Sequence, residues 1–242
     1  MRESYIKMFE NLKASARIVD LSYTLEEGMP VWPTQARYGG TLYESYDYGD
    51  EGLHSRIVMS EHTGTHIDAP KHFMRGGCPI DEMPVSAIMG RGVKIDAMST
   101  PEKGLFSLEE IRHFEALNGE IKPGDIVMLR FGWDEKYGLQ PNCAGYLRDW
   151  PGLDQRAAEY LAGRNVAAVG CDTLSLDAYG LSGSPCHHTL LGKNIPIIEN
   201  LCALSLIPVF TYLIGLPNKF KGGSGSPIRI VAFSEEFNSA AE

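Results

Sequence analysis

The chain has 242 residues, 43% hydrophobic and 22% charged, with a formal net charge of −9. That length favours one domain over residues 1–242 with room for a substantial core. The acidic balance argues against nucleic acid and against anionic membrane surfaces as partners. Five scattered cysteines form no Cys-x-x-Cys pair, which fits a reducing cytoplasm better than a disulfide framework or a thiolate zinc site.

The first residues lack the apolar run and cleavage site of a signal peptide. Residues 3–13 read as an amphipathic helix with Ile6, Phe9 and Leu12 on one face. Arg17 to Leu21 reads as a strand, followed by a proline-bounded loop that holds Trp32. Residues 41–47 and 55–60 alternate as two further strands, and the second leads into a histidine-rich stretch at 60–73. Val93 to Ile95 is a short strand. Residues 107–118 are the clearest helix: Ser107 and Glu110 form a capping box, Phe106 and Ile111 a hydrophobic staple, and Gly119 the stop. Pro123-Gly124 turns the chain into a buried strand from Ile126 to Phe131. Residues 132–152 are rich in Gly, Pro, Trp and Tyr and read as a long surface loop.

Asp154 starts a helix that ends at Gly163, and Val166 to Gly170 is a continuous apolar run expected as a central strand. Ser184-Pro185 opens a third helix, Ile195 to Ile198 is a buried strand ending on Glu199, and Ile228 to Phe233 is the last strand. The most apolar segment, Ile195 to Leu216, is broken by Glu199, Asn200 and Pro208, so it is a poor membrane span. This order of elements predicts an α/β or α+β fold with a mixed sheet.

Three of the seven histidines fall within residues 60–73, together with Asp68. Imidazoles and a carboxylate this dense point to a metal site, a proton-transfer site, or both. A regular helix does not gather His62, His66, Asp68 and His72 on one face. A straight strand would set His62 and His66 about 13 Å apart, too far for comfortable sharing of one ion. A bend at Gly64, where no Cβ obstructs the turn, would let His62, His66 and Asp68 converge, and Pro70 would fix the chain direction before His72.

The string His62-Thr63-Gly64-Thr65-His66-Ile67-Asp68-Ala69-Pro70-Lys71-His72 resembles the signature of the cyclase family of metal-dependent hydrolases. That family includes bacterial kynurenine formamidases, isatin hydrolases and trans-dienelactone hydrolases. A second segment, His187 to Glu199, is similar to the family's second conserved segment, and Cys171 to Asp177 and Gly225 to Arg229 also look like family segments. The resemblance implies a kynurenine formamidase-like swivelling β/β/α fold. It implies His62, His66 and Asp68 as ligands of a first ion, and His187 and Glu199 joining Asp68 around a second. His72 would be the catalytic acid or base. Isatin hydrolases resemble the same scaffold with a single manganese, so one or two ions of Mn²⁺ or Zn²⁺ are both open. Family members are oligomers, which implies a homodimer or homotetramer.

The expected chemistry is hydrolysis of a small amide by metal-activated water. An N-formyl aryl amine or a cyclic amide such as isatin would suit it. Lactone hydrolysis or ring-forming cyclase or dehydratase chemistry on the same scaffold is the alternative, and a metal-binding module without turnover is the rival from another class. Trp32 would stack on an aromatic substrate, or else serve as a core or subunit-contact side chain. Cys186 reads as a buried inert thiol, and Gly222 to Pro227 as a turn, since it lacks the ending of a phosphate loop. Asp172 and Asp177 read as caps or as partners of the ligands.

Overall fold

A computed structural model describes residues 4–235. In chain order the strands are β1 (Arg17–Asp20), β2 (Gly39–Glu44), β3 (His54–Val58), β4 (His66–Asp68), β5 (Met89–Asp96), β6 (Leu105–Phe106), β7 (Ile126–Arg130), β8 (Gly152–Leu153), β9 (Ala168–Cys171), β10 (Ile197–Glu199), β11 (Phe210–Pro217) and β12 (Gly225–Ser234). The helices are α1 (Tyr5–Ser15), α2 (Leu108–Asn118), α3 (Gln155–Gly163) and α4 (Pro185–Leu191). No helix among the described residues is long and apolar enough to cross a membrane.

Eight strands form one mixed sheet in the order β1-β12-β11-β5-β7-β9-β10-β4. The neighbours from β5 to β10 run parallel and the others antiparallel. Strand β4 pairs with β10 on one side and with β12 on the other, so it closes the sheet into a barrel. The strand alternation then sorts the core into two clusters. Ile126 and Met128 of β7 point into the barrel with Ile67, Ile198, Leu213 and Ile230. Val127 and Leu129 point outward onto α2, α3 and α4, where Ile111, Leu161 and Leu190 meet them. Strands buried on both faces are the usual companions of parallel pairing, which is why 126–131 reads as an unbroken apolar run.

Helix α2 starts as its sequence dictates. Ser107 Oγ accepts the Glu110 N–H at 3.3 Å, and Glu110 Oε2 accepts the Ser107 N–H at 2.6 Å. Helix α1 is present but buries none of its residues. Strands β2 and β3 form a separate ribbon whose side chains are almost all exposed.

Residues 132–152 differ from the surface loop expected of them. Trp133, Tyr146 and Trp150 are buried in the helix-side core. Trp133 Nε1 donates to the Tyr146 carbonyl at 3.0 Å, and Trp150 Nε1 to the Asp177 carbonyl at 2.9 Å. The segment enters through Asp172, whose carboxylate accepts the N–H groups of Phe131, Gly132 and Trp133 at 2.8–3.2 Å. Large aromatic areas leave water even where the backbone is irregular, so the turn residues set the path of this segment and its aromatics set its depth.

Candidate metal centre

The histidine stretch bends at Gly64, which has φ of 61°. A Cβ there would lie 2.8 Å from Leu25 Cδ2 and 2.9 Å from Met29 Cε, so both conformation and space call for glycine. After the bend, β4 alternates: Ile67 enters the barrel while His66 and Asp68 face outward. Strand β10 does the same with Ile198 in and Glu199 out. The antiparallel register sets His66 opposite Glu199 and Asp68 opposite Ile197, which places both carboxylates on one patch of the outer surface. Pro70 opens a 3-10 turn over Pro70–His72 that lays the His72 ring 4.0 Å from the His62 ring. Helix α4 covers the patch and lowers His187 onto it, while His188 stays exposed with its ring 5.2 Å from Phe73. Of the two adjacent histidines, His187 is the one in the site.

The side chains converge tightly. His187 Nε2 lies 3.3 Å from Asp68 Oδ2 and 3.2 Å from Glu199 Oε1. His66 Nε2 lies 3.5 Å from Asp68 Oδ1 and 3.5 Å from Glu199 Oε2. His62 Nδ1 is 2.6 Å from Asp68 Oδ1, and His72 Nε2 is 3.9 Å from Asp68 Oδ2. Among the described residues two donor triads could each hold an ion: His66 with Asp68 and Glu199, and His62 with Asp68 and His72. The expectation from the sequence grouped His62 and His66 on one ion. Here each stands with Asp68 in a different triad.

The ring nitrogens not facing Asp68 are held from behind. His66 Nδ1 donates to the Gly64 carbonyl at 2.8 Å. His187 Nδ1 donates to Asp177 Oδ2 at 2.6 Å, and Asp177 Oδ1 also accepts the Cys186 N–H at 2.9 Å. Both rings are therefore fixed with Nε2 turned inward, the arrangement by which outer acceptors orient ligating imidazoles. Asp177 therefore stands directly behind the candidate ligand His187, and Asp172 is a cap of the 131–133 backbone.

The electrostatics fit a divalent cation. Burial alone would lower the pKa of His66 and of His187. Glu199 and Asp68 outweigh it at His66, and Asp177, Asp68 and Glu199 do so at His187, so both imidazoles sit above their ordinary value. Burial would raise the Asp68 and Glu199 carboxyls, but the facing histidines hold both below the usual carboxylate range. Two fully buried anions attract positive charge that an ion can supply instead of protons. The separations agree: bonds of about 2.0–2.2 Å at tetrahedral angles set neighbouring donors about 3.3–3.6 Å apart. The donors are nitrogen and oxygen with no sulfur, which suits Zn²⁺ or Mn²⁺. Nearby Cys186 has its thiol pushed far up by burial and is inert.

A cavity of about 270 Å³ opens over the cluster, lined among others by Trp32, His62, His66, His72, Phe73 and His187. Trp32 is 41% exposed, and its ring meets Trp150 edge-on at 5.9 Å. Its loop is tied down by the Gln140 N–H donating to the Gly28 carbonyl at 2.8 Å and by Tyr23 stacked on Tyr137 at 3.7 Å. Phe73 was missed in the sequence, although it directly follows His72. Its ring packs 4.6 Å from His187.

The Cyclase family model ("Putative cyclase") matches residues 19–178 of the chain. The chain belongs to the Cyclase family. The match includes the whole His62 to His72 string and stops short of His187 and Glu199, which join the site through the fold. A kynurenine formamidase from Erythrobacter litoralis is 29% identical over 220 residues, covering 90% of this chain and 94% of that protein. Isatin hydrolase A from Labrenzia aggregata, solved bound to benzyl benzoate, superposes with a TM-score of 0.88 at 30% identity, covering 96% of this chain and 100% of that one. A structure described as a predicted metal-dependent hydrolase from Bacillus stearothermophilus covers 90% of this chain and 98% of its own, with a TM-score of 0.73 at 25% identity.

Proposed function

We propose that the chain, read as one domain over residues 1–242, is a metal-dependent hydrolase that cleaves a non-peptide C–N bond in a small aromatic amide. An N-formyl aryl amine or a cyclic amide of the isatin kind would suit a cavity lined by Trp32 and Phe73. The observation that carries this reading is the convergence of His66, His187, Asp68 and Glu199 at 3.2–3.5 Å beneath a cavity walled by aromatic rings. His66, Asp68, Glu199 and His187 would hold one ion, Zn²⁺ or Mn²⁺. When bound, the ion supplies a nucleophile from water near neutral pH and polarises the scissile carbonyl.

The chain's own residues do the rest. Trp32 and Phe73 flank the cavity and would hold the flat ring of the substrate. His72 has a side chain 28% exposed and lines the same cavity. Burial and the neighbouring His62 and His187 keep it below the ordinary imidazole value, so at neutral pH its unprotonated ring nitrogen can take a proton and pass it to the leaving nitrogen. A second reading rests on the triad of His62, Asp68 and His72, in which His72 is instead a ligand of a second ion.

A homodimer or homotetramer is supported by exposed apolar side chains on α1 and the β2–β3 ribbon, Ile6 at 73% and Tyr43 at 76% among them. The cysteines of the described residues are all free, which supports a reducing cytoplasm. Neither nucleic acid nor membrane is proposed as a partner. The test is metal analysis of protein purified without chelator, followed by N-formylkynurenine, isatin and a dienelactone assayed with Mn²⁺ and Zn²⁺. Turnover of an amide above the lactone supports the reading. Lactone turnover alone moves the enzyme to the alternative, and an inert metal-loaded protein leaves only a binding module. His72→Ala separates the two roles of that residue: loss of turnover at unchanged ion count fits the proton shuttle, and loss of one ion fits the ligand.

A further inference from the structure

The glycine-rich loop before β12 has a job beyond turning the chain. It is tied to the end of the histidine motif and to the residues after it: the Ala69 N–H donates to the Ser224 carbonyl at 2.9 Å, the Ile80 N–H to the Gly223 carbonyl at 3.0 Å, and Lys71 Nζ to the Gly222 carbonyl at 2.7 Å. The loop presses on His62 so closely that a Cβ on Gly225 would fall 2.6 Å from His62 Cε1. At this contact Ser224 Oγ lies 2.9 Å from His62 Nε2. Glu61 Oε2 accepts from Ser224 Oγ at 2.7 Å and from the Ser224 N–H at 2.9 Å.

The direction of these bonds follows from what each group can donate. An ionised Glu61 only accepts. The Ser224 hydroxyl therefore spends its one proton on Glu61, and its oxygen can only accept from His62. Nε2 of His62 must then carry a proton, donated to Ser224 Oγ. On the other side Nδ1 donates to Asp68 Oδ1 at 2.6 Å, and an ion would take the place of that proton. His66 and His187 are pinned through Nδ1 and offer Nε2, so His62 is the mirror case and needs an acceptor of its own on the other nitrogen. We propose that Glu61 and Ser224 are positioning residues that hold His62 in its Nε2–H form, so that Nδ1 is the atom it offers to a divalent ion shared with Asp68. This rests on the reading above in which His62 and Asp68 share an ion, and extends it to two residues outside the ligand set.

The test is calorimetric titration of chelator-stripped protein with Zn²⁺, for wild type, Ser224→Ala, Ser224→Thr and Glu61→Gln. Ser224→Ala removes the acceptor. Glu61→Gln keeps the shape but adds an N–H that can donate to Ser224, which frees the serine proton to point at His62 and shift its proton to Nδ1. Each is expected to weaken Zn²⁺ binding by about 10- to 100-fold, with Ser224→Thr close to wild type because it keeps the hydroxyl. In ring ¹⁵N spectra of the Zn²⁺-loaded wild type, Nε2 of His62 is expected to carry the proton. Wild-type affinity in both Ser224→Ala and Glu61→Gln overturns the proposal, as does a loss in Ser224→Thr equal to that in Ser224→Ala, or a proton found on Nδ1. If Ser224→Ala fails to fold, Glu61→Gln decides the matter. A wild type that binds no Zn²⁺ would sink the metal reading itself. A wild type that binds it while the variants match sinks this inference alone.

Discussion

Asp68 faces ring nitrogens of His62, His66, His72 and His187 from a side chain that is 1% exposed. Its two oxygens are divided, Oδ1 toward His62 and His66 and Oδ2 toward His72 and His187, so it is common to both donor triads. Asp68→Asn keeps the volume and removes the charge, and metal affinity measured by competition with a chelator is expected to fall more than about 100-fold, beyond what loss of an outer partner causes. Asp177→Asn acts at one remove. It allows the His187 ring to turn or change tautomer, with an expected loss of about 10- to 100-fold in metal affinity or in kcat/KM and little change in far-UV circular dichroism. At this scale the sequence was informative because the motif is local: six residues of chain separate His62 from Asp68. Phe73 carries no signal of its own, since a phenylalanine after a histidine is equally at home in any core. Ser224 lies 162 residues from His62, and only the closure of the barrel brings them together.

Among the elements, the bend at Gly64 and the three-residue strand after it do the positioning. Gly64→Ala requires an L-residue at φ of 61° and displaces Leu25 and Met29. It is expected to cost about 1–2 kcal/mol from the left-handed backbone alone, read from urea midpoints, and to lower metal affinity in addition because His66 follows two residues later. Ser107→Ala, distant from the site, is expected to cost about 1 kcal/mol and to leave turnover unchanged. Bend and cap were both readable because each is a short-range pattern. The depth of residues 132–152 was not, because Gly and Pro speak of the path of a backbone and the burial of Trp133, Tyr146 and Trp150 depends on what the rest of the fold leaves uncovered. Asp172→Ala would strand the N–H groups of Phe131, Gly132 and Trp133. At about 1–3 kcal/mol for each unsatisfied buried group, it is expected to cost at least about 3 kcal/mol in a denaturation experiment.

At the scale of the whole molecule, an ion would join β4, β10 and α4, which are far apart in sequence and adjacent in space. A ligand that binds only the folded state stabilises it in proportion to the logarithm of its excess. At one hundred times its dissociation constant, the ion is expected to add about 2.7 kcal/mol, and chelation should lower the melting temperature accordingly. The mixed α/β class was readable from the order of runs and caps. Closure of the sheet was not, because β4 is short and its two neighbours, β10 and β12, lie well over a hundred residues downstream.

The Trp32 loop leans on residues 137–150 through Gln140, Tyr137 and Trp150, and none of those three is among the donors beneath the cavity. Under the proposed function, the wall of the cavity and the donors beneath it share one support: Trp150 meets Trp32 edge-on and also donates to the Asp177 carbonyl, and Asp177 holds the His187 ring. A chimera exchanging 137–150 but keeping Tyr146 and Trp150 is expected to change which ring systems are admitted with the candidate ion-holding side chains in place. Selectivity could then drift from behind the wall.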